Sequence, residues 1–326
     1  MKVKRLLSTF GFVAIAALAA PINAAWADYP ERPVRLVVPY PPGGTTDILA
    51  RVIADQLSKD LGQTFVIENK AGAGGAIGAQ QVASAAPDGY TLVMGNINSH
   101  MINTAMRSDM PYHPTKDFAP ITIVGSTPNV LLVKSDFPAT SVKELIELAK
   151  KEPGKLSFGS TSPGGSPHMS GELFKSMAGV DILHVPYKGA SPMLTDLMGG
   201  QIPLGFDNLP SSLPLIQSNK LRALAVTTTQ RWDGAKDIPT MAESGLPDYE
   251  VAAWFGIFAP AGTPEPVLDK LQQTIAASLA QDTMKQRLFE LGAIPGGISR
   301  QEFTKQIEEG IAMWTQVVDK AGLRVN

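Results

Sequence analysis

Short apolar runs rich in valine, isoleucine and leucine recur along the chain, and each is followed by a turn and a helical pattern. The runs predict strands at Val34–Val38, Phe65–Glu68, Thr91–Met94, Ile121–Val124, Asn129–Val133, Leu156–Gly159, Ile182–Val185, Ile202–Phe206, Leu221–Val226 and Val251–Phe258. The helical patterns predict helices at Thr46–Leu61, Gly74–Ala85, Val142–Lys151, Pro167–Met177, Pro192–Met198, Pro266–Ala280 and Arg300–Lys320. This alternation indicates an α/β protein with largely parallel sheets flanked by helices.

The number of predicted strands exceeds what one compact sheet usually holds, so we expect two lobes. The chain should cross between them near Ser126–Asn129 and again near Glu250–Gly256. The first lobe would then comprise residues 28–126 and 253–326, and the second lobe residues 127–252.

The first 27 residues have the features of a secretory signal peptide. A basic start, MKVKR, precedes the apolar stretch LLSTFGFVAIAALAA, and Ala25-Trp26-Ala27 is a small-x-small cleavage site. A membrane anchor is the alternative, but the apolar stretch has about 15 residues where a spanning helix needs about 20. We therefore expect a periplasmic protein that is cleaved after Ala27.

The absence of cysteine and the net charge of −2 restrict the function further. A chain without cysteine forms no disulfides and has no site for lipid attachment behind the signal. A slightly acidic protein lacks the basic surface that nucleic acids and anionic membranes require. If the ligand is an anion, local geometry must attract it.

Three glycine-rich segments each follow a predicted strand and open a predicted helix. They are PYPPGGTTD at Pro39–Asp47, NKAGAGGAIGA at Asn69–Ala79 and GSTSPGGS at Gly159–Ser166. The first turn of a helix has free N–H groups and a partial positive charge, and glycine lets a ligand oxygen approach them. Such segments bind phosphate or carboxylate, although each alone is also compatible with an ordinary turn.

Polar side chains in and after these segments add candidate contacts. The hydroxyls of Thr45, Thr46, Ser160, Thr161 and Ser166 could donate to an anion. Asn96, Asn98, His168, Tyr187 and Asp207 follow strands or open helices at the same sheet edge, although turn, surface or packing roles would also explain them. Asp47 lies in a first helical turn, so we expect it to hold its own loop in place instead of contacting an anion.

Sequence patterns for other chemistries are incomplete. No G-x-x-x-x-G-K-[ST] segment occurs, and Gly72–Gly78 is one residue too long for a dinucleotide fingerprint. No G-x-S-x-G segment occurs, which leaves only Ser166 with His168 as a weak hydrolase alternative. The four histidines show no metal-ligand spacing. We predict no cofactor, no metal and no catalytic residue.

Several long segments together identify a family resemblance. PYPPGGTTDILAR, ENKAGAGGAIGA, PDGYTL, GSTSPGGSPHMSGELF and HVPYKGASPMLTDLMGGQIPLGFDN occur in this order. With these segments the mature chain resembles the substrate-binding proteins of tripartite tricarboxylate transporters, often called Bug receptors. The resemblance implies a two-lobe periplasmic binding protein of the type II-like, flytrap kind, which closes around its ligand and has no catalytic activity.

The resemblance also implies ligands, partners and contacts. The ligands would be di- or tricarboxylates, amino acids or aromatic acids, and the partners two integral membrane transporter subunits, with the receptor itself a monomer. Carboxylate contacts, some through water, would come from loops matching Tyr40–Thr45 and Ser160–Ser166. Asp207 would meet a variable part of the ligand, and Tyr40 stands where many members have phenylalanine, so ligand identity does not transfer. A receptor that presents its ligand to a sensor protein is the alternative.

The predicted ligand-binding residues form one set. They are Tyr40, Pro42, Gly43, Gly44, Thr45, Gly74, Asn96, Asn98, Ser160, Thr161, Gly164, Gly165, Ser166, His168, Tyr187 and Asp207.

Overall fold

The computed structural model describes residues 29–322 and residue 324, so the predicted signal peptide lies outside the described residues. The strands are β1 Val34–Val38, β2 Phe65–Asn69, β3 Thr91–Asn96, β4 Phe118–Lys134, β5 Ser157–Ser160, β6 Leu183–Pro186, β7 Leu204–Asn208, β8 Leu221–Val226, β9 Ala252–Pro260 and β10 Ile294–Pro295. The α-helices are α1 Thr45–Leu61, α2 Ala76–Ala83, α3 Asn103–Met106, α4 Val142–Lys151, α5 Ser166–Ala178, α6 Ala190–Met198, α7 Leu209–Gln217, α8 Glu265–Ala280, α9 Asp282–Glu290 and α10 Arg300–Ala321. A short π-helix, Asn98–Ile102, joins β3 to α3.

The strands form one curled, mixed sheet in the order β2-β1-β3-β9-β4-β7-β5-β6, and β8 and β10 also pair with β4. The outer strands are parallel, as predicted: β1 pairs with β2 and β3, and β5 pairs with β6 and β7. The central pairs that involve β4 and β9 are antiparallel, so the prediction of largely parallel sheets holds only for the outer strands. The carboxyl ends of β1, β3, β5 and β7 lead into the loops described below.

The strand β4 connects the two lobes, and here the sequence-based prediction of two separate strands is wrong. Residues 118–128 of β4 pair with β9, whereas residues 129–134 pair with β7 and β8. Pro128 lacks a backbone donor, yet the chain stays extended there and pairs with Ala252.

The hydrophobic core is divided in the same way. One buried cluster draws on residues 29–124 and 253–318, joined by Met169. Two further clusters, which include Phe158 and Met193, come from residues 130–251. Each group of strands therefore has its own apolar packing, which gives the predicted two-lobe α/β fold.

The helices α4 and α10, which start away from the sheet edge, are capped by serine side chains. The Ser299 hydroxyl accepts from the N–H of Glu302, and the Glu302 carboxylate accepts from the N–H of Ser299, which together form a capping box. At α4 the Ser141 hydroxyl accepts from the N–H of Glu144, but the Glu144 carboxylate binds the N–H of Thr140 instead of Ser141.

Candidate ligand-binding site

Four helices begin around one small cavity between the lobes. The cavity has a volume of about 50 Å³, and its lining includes Gly44, Gly165, Gly189 and Asn208. These residues are the N-caps of α1, α5, α6 and α7, and none of the four provides a side-chain cap. First-turn N–H groups and four helix dipoles therefore converge on a space that favours an anion.

The loops that open α1 and α5 have the same construction, one in each lobe. Gly43 and Gly164 have positive φ angles of 82° and 73°. The N–H of Gly43 donates to Asp47 Oδ2 at 3.0 Å, and the N–H of Gly164 donates to His168 Nδ1 at 2.9 Å. In both loops the first glycine thus donates to the side chain that lies four residues later in the sequence. The second glycine, Gly44 or Gly165, is the N-cap of the helix.

This construction decides which groups are free for a ligand. The N–H groups of Gly43 and Gly164 are occupied, and neither glycine lines the cavity, whereas Gly44 and Gly165 do. The first helical residue of each loop, Thr45 or Ser166, is buried and also lines the cavity. The donors nearest to a ligand are therefore the backbone N–H groups at the two helix starts.

Asp47 holds the first loop in place, as expected from the sequence. Besides Gly43, its carboxylate accepts from Asn69 Nδ2 at 2.9 Å and from two nitrogens of Arg51, each at 2.9 Å. Burial acts to raise the pKa of this carboxyl, but the hydrogen bonds from Arg51, Gly43 and Asn69 outweigh it and hold the pKa below 3.8. Asp47 is therefore ionised and fully bonded behind its loop.

His168 supports the second loop as a neutral ring. It stacks on His184 with ring centroids 3.9 Å apart. Burial lowers the pKa of each ring to about 4. Because Nδ1 of His168 accepts from Gly164, its proton is on Nε2, 3.7 Å from a Glu172 oxygen. His168 does not line the cavity, and it positions Gly164.

Ser166 does not form the pair with His168 that a hydrolase would need. Its hydroxyl donates to Asn129 Oδ1 at 3.2 Å and accepts from Asn208 Nδ2 at 3.3 Å. Asn208 Nδ2 also donates to Asn129. The Ser160 hydroxyl, which is fully buried outside the cavity, contacts His184 Nε2 at 2.7 Å. These hydroxyls fix the second loop.

The third glycine loop presents an acceptor, and the structure does not bring it into the small cavity. The carbonyl oxygen of Gly74 accepts from Asn98 Nδ2 at 3.1 Å and from Asn103 Nδ2 at 3.0 Å, and it lies 3.2 Å from the Tyr40 hydroxyl oxygen. Gly74 and Tyr187 line a neighbouring cavity of about 730 Å³, which shares Tyr40 with the small one. The carbonyl is turned inward because Gly74 has a φ of 64°.

Asn96, the last residue of β3, and Asn98, the first residue of the π-helix, line the small cavity. Asn96 Oδ1 accepts from the N–H groups of Asn98 and Ser99 and from the Tyr40 hydroxyl, and so it fixes the turn into the π-helix. Asn98 Oδ1 is buried without a hydrogen-bond partner among the described residues. A ligand donor in the cavity would satisfy that oxygen.

Nine of the predicted residues line the small cavity, namely Tyr40, Gly44, Thr45, Asn96, Asn98, Thr161, Gly165, Ser166 and Asp207. Pro42, Gly43, Ser160, Gly164 and His168 do not line it. The predicted set leaves out ten other lining residues, namely Pro41, Thr46, Ile97, Ser162, Pro167, Gly189, Ala190, Asn208, Ala253 and Phe255. Of these, Ala190 had a signal, because the segment Lys188-Gly189-Ala190 also joins a strand to a helix through glycine.

The lobes contact each other around the cavity. Thr45 Oγ1 lies 3.1 Å from Ser211 Oγ of the second lobe. A Cβ atom added to Gly43 would lie 3.0 Å from Ser191 Oγ, and one added to Gly164 would lie 2.7 Å from the sulfur of Met106. Each positive-φ glycine therefore leaves room for a side chain of the opposite lobe.

Replacing Tyr40 with phenylalanine should lower the free energy of unfolding by about 1 kcal/mol, the contribution of one hydrogen bond. Burial raises the pKa of Tyr40 to about 12, so its hydroxyl is neutral. Gly74 and Asn96 retain their other partners, so affinity should change less than about threefold. Denaturant unfolding and ligand titration test this.

Tyr112→Phe is the matched control, since the Tyr112 hydroxyl is buried and donates to the Ser99 carbonyl at 2.6 Å outside the cavity. Its loss of stability should be similar. A loss of affinity above tenfold in Tyr40→Phe alone would show that the Tyr40 hydroxyl binds the ligand directly.

No group of three or more histidine, cysteine, aspartate or glutamate side chains among residues 29–322 could hold a metal ion. Within the same part of the chain, no helix has both the length and the apolar character to cross a membrane.

Comparisons with known proteins agree on one family. The family described as tripartite tricarboxylate transporter family receptor matches residues 49–323. Protein BugT of Bordetella pertussis is 36% identical to this chain over 327 aligned positions, which cover 100% of both chains.

Solved structures similar to this chain include two with a bound dicarboxylate. Rpa4515 of R. palustris with adipate is 46% identical, has a TM-score of 0.88, and the match covers 90% of this chain and 98% of that one. MatC of Rhodopseudomonas palustris with bound malate is 34% identical with a TM-score of 0.84, covering 89% and 100%. The periplasmic binding protein BugD is 37% identical with a TM-score of 0.86, covering 91% and 99%.

Proposed function

This chain belongs to the tripartite tricarboxylate transporter receptor family, and we propose that it is a periplasmic receptor that captures a small organic carboxylate between its lobes for delivery to a membrane transporter. The convergence of four helix N-termini on one interlobe cavity carries this proposal. The adipate and malate bound by two similar proteins support the ligand class.

The energetics of such a site are sufficient without an arginine. Micromolar affinity requires about −8 kcal/mol. A hydrogen bond to a charged group contributes about 1.5–3 kcal/mol, so several N–H and hydroxyl donors around one carboxylate, less the cost of ordering, reach that range. Lobe closure would exclude water and strengthen each of these bonds.

The lobe boundaries and the roles of individual residues are inferred from the same geometry. We propose that the lobes comprise residues 28–126 plus 253–326 and residues 127–252, with β4 and the start of β9 as crossings. In this proposal the cavity-lining members of the predicted set contact the ligand, and Asp47 and His168 position the two loops. The protein acts as a monomer, performs no catalysis and delivers its ligand to two integral membrane subunits.

Thermal unfolding against a ligand panel tests the proposal. Adipate and malate should raise the melting temperature, because a ligand at 100 times its Kd adds about 2.7 kcal/mol to the free energy of unfolding. A neutral sugar and a diamine serve as controls and should have no effect. Stabilisation by the sugar or the diamine, with none by any organic acid, would contradict the proposal.

A further inference from the structure

A buried carboxylate shares the cavity with the four helix starts. Asp207 at the end of β7 is 1% exposed and lines the cavity. Its Oδ2 accepts from the Ser211 hydroxyl at 2.6 Å, and Ser211 in turn contacts Thr45 of the first lobe. Asp207 forms no ion pair with any described residue. It is therefore an acidic group inside a site built to attract anions.

No neighbouring charge compensates Asp207. The titratable side chains on the elements packed against β7 are His168, Glu172 and Lys175 on α5, Asp196 on α6 and Lys134 on β4, and Asp47 lies across the cavity in α1. None of them contributes to the pKa shift of Asp207. Burial raises this pKa to about 7, against the smaller opposing effects of hydrogen bonds from Ser211 and the N–H of Asn208.

A ligand with two carboxylates would be repelled more strongly by an ionised Asp207 than a ligand with one. Each helix N-terminus provides roughly half a positive charge, so four provide about two. A dianion would use that field fully, and an ionised Asp207 beside it would add an uncompensated negative charge in a closed, dry space. Protonation of Asp207 removes the repulsion and converts one of its carboxyl oxygens into a donor.

Resting on the proposed function, we propose that Asp207 is a specificity-determining residue through which a dicarboxylate binds together with one proton. The proton is taken from solvent and held on Asp207 as a neutral carboxylic acid, which donates a hydrogen bond to the ligand. The site therefore takes up one proton for each dicarboxylate that it captures at alkaline pH.

The test measures the affinity of the full mature protein for adipate and malate between pH 6.5 and pH 8.5. Carboxyl groups with ordinary pKa values near 4 are ionised throughout this range, and His168 and His184 are neutral. The wild-type Kd should rise by up to about tenfold per pH unit above the pKa of Asp207 in the free protein. Calorimetry at pH 8 in two buffers of different ionisation enthalpy should show uptake of about one proton.

Asp207→Asn provides the sharpest comparison, because asparagine has the shape of the neutral acid and retains both an acceptor for Ser211 and a donor for the ligand. This variant should bind the two acids with a Kd that does not change with pH, close to the wild-type Kd at pH 6.5. Asp136→Asn, which changes an exposed carboxylate of the same lobe paired with Lys134, should keep the wild-type pH dependence.

Three results would overturn the inference while the receptor function stands. They are a wild-type Kd that is constant over this range without proton uptake, an Asp207→Asn variant that keeps the wild-type pH dependence, and affinity for aspartate that exceeds that for malate and rises with pH, as an ionised Asp207 paired with an ammonium would give. Failure to bind any carboxylate at any of these pH values would instead contradict the proposed function itself.

Discussion

Replacing Gly43 with alanine is expected to weaken carboxylate binding by at least about tenfold, or about 1.4 kcal/mol. The φ of Gly43 is 82°, and a Cβ atom there would lie 3.0 Å from Ser191 Oγ across the cleft. Alanine therefore strains the loop that presents the start of α1, and it also crowds the closed arrangement of the lobes. Titration with adipate or malate, together with denaturant unfolding, measures both effects.

Gly62→Ala separates these two effects. Gly62 ends α1 with a φ of 68°, and a Cβ atom there would have no neighbour within 4 Å. Both variants should lose about 1–2 kcal/mol of stability from left-handed backbone strain, but only Gly43→Ala should lose affinity. Equal affinities in the two variants would show that the first glycine loop is not part of the receptor site.

The strand–loop–helix framework could be predicted from sequence because it depends on local signals. The apolar run Val34–Val38 and the helical spacing of α1 gave both elements within one residue of their bounds. The helix α7 was missed because Pro210 and Pro214 favour a turn over a helix. Leu209 and Leu213 are buried in the hydrophobic cluster that includes Met193, and this burial overrides the preference for a turn.

Local sequence signals predicted the loops of the candidate site, but not the hydrogen bonds within them. The segments around Gly44 and Gly165 were predicted as anion-binding loops, and the structure places both at the cavity. The sequence could not show that Gly43 and Gly164 already donate to Asp47 and His168, because these bonds depend on the path of each loop. Nor could it show that the glycines of the third loop turn a carbonyl oxygen inward, since glycine permits either orientation.

The largest loss of stability is expected for Asp47→Ala, at about 2–3 kcal/mol. The variant removes the buried carboxylate that accepts from the Gly43 N–H, the Asn69 amide and Arg51, and a hydrogen bond to a charged group contributes about 1.5–3 kcal/mol. The pKa of Asp47 is held below its ordinary value of 3.8, so its stabilising contribution is complete above that pH and is lost as the pH falls through the folded-state pKa.

Urea unfolding at pH 7, pH 5 and pH 3 tests this expectation, with Asp55→Ala as the matched control. Asp55 lies on the same helix, but it is exposed and pairs with Lys59 and Arg287, so its loss should cost less than about 1 kcal/mol. The difference between wild type and Asp47→Ala should be equal at pH 7 and pH 5 and smaller at pH 3. Because the loop that opens α1 also loses its anchor, carboxylate affinity should fall in Asp47→Ala and stay unchanged in Asp55→Ala. A small, pH-independent loss in Asp47→Ala would show that Arg51 and Asn69 hold the loop without the carboxylate.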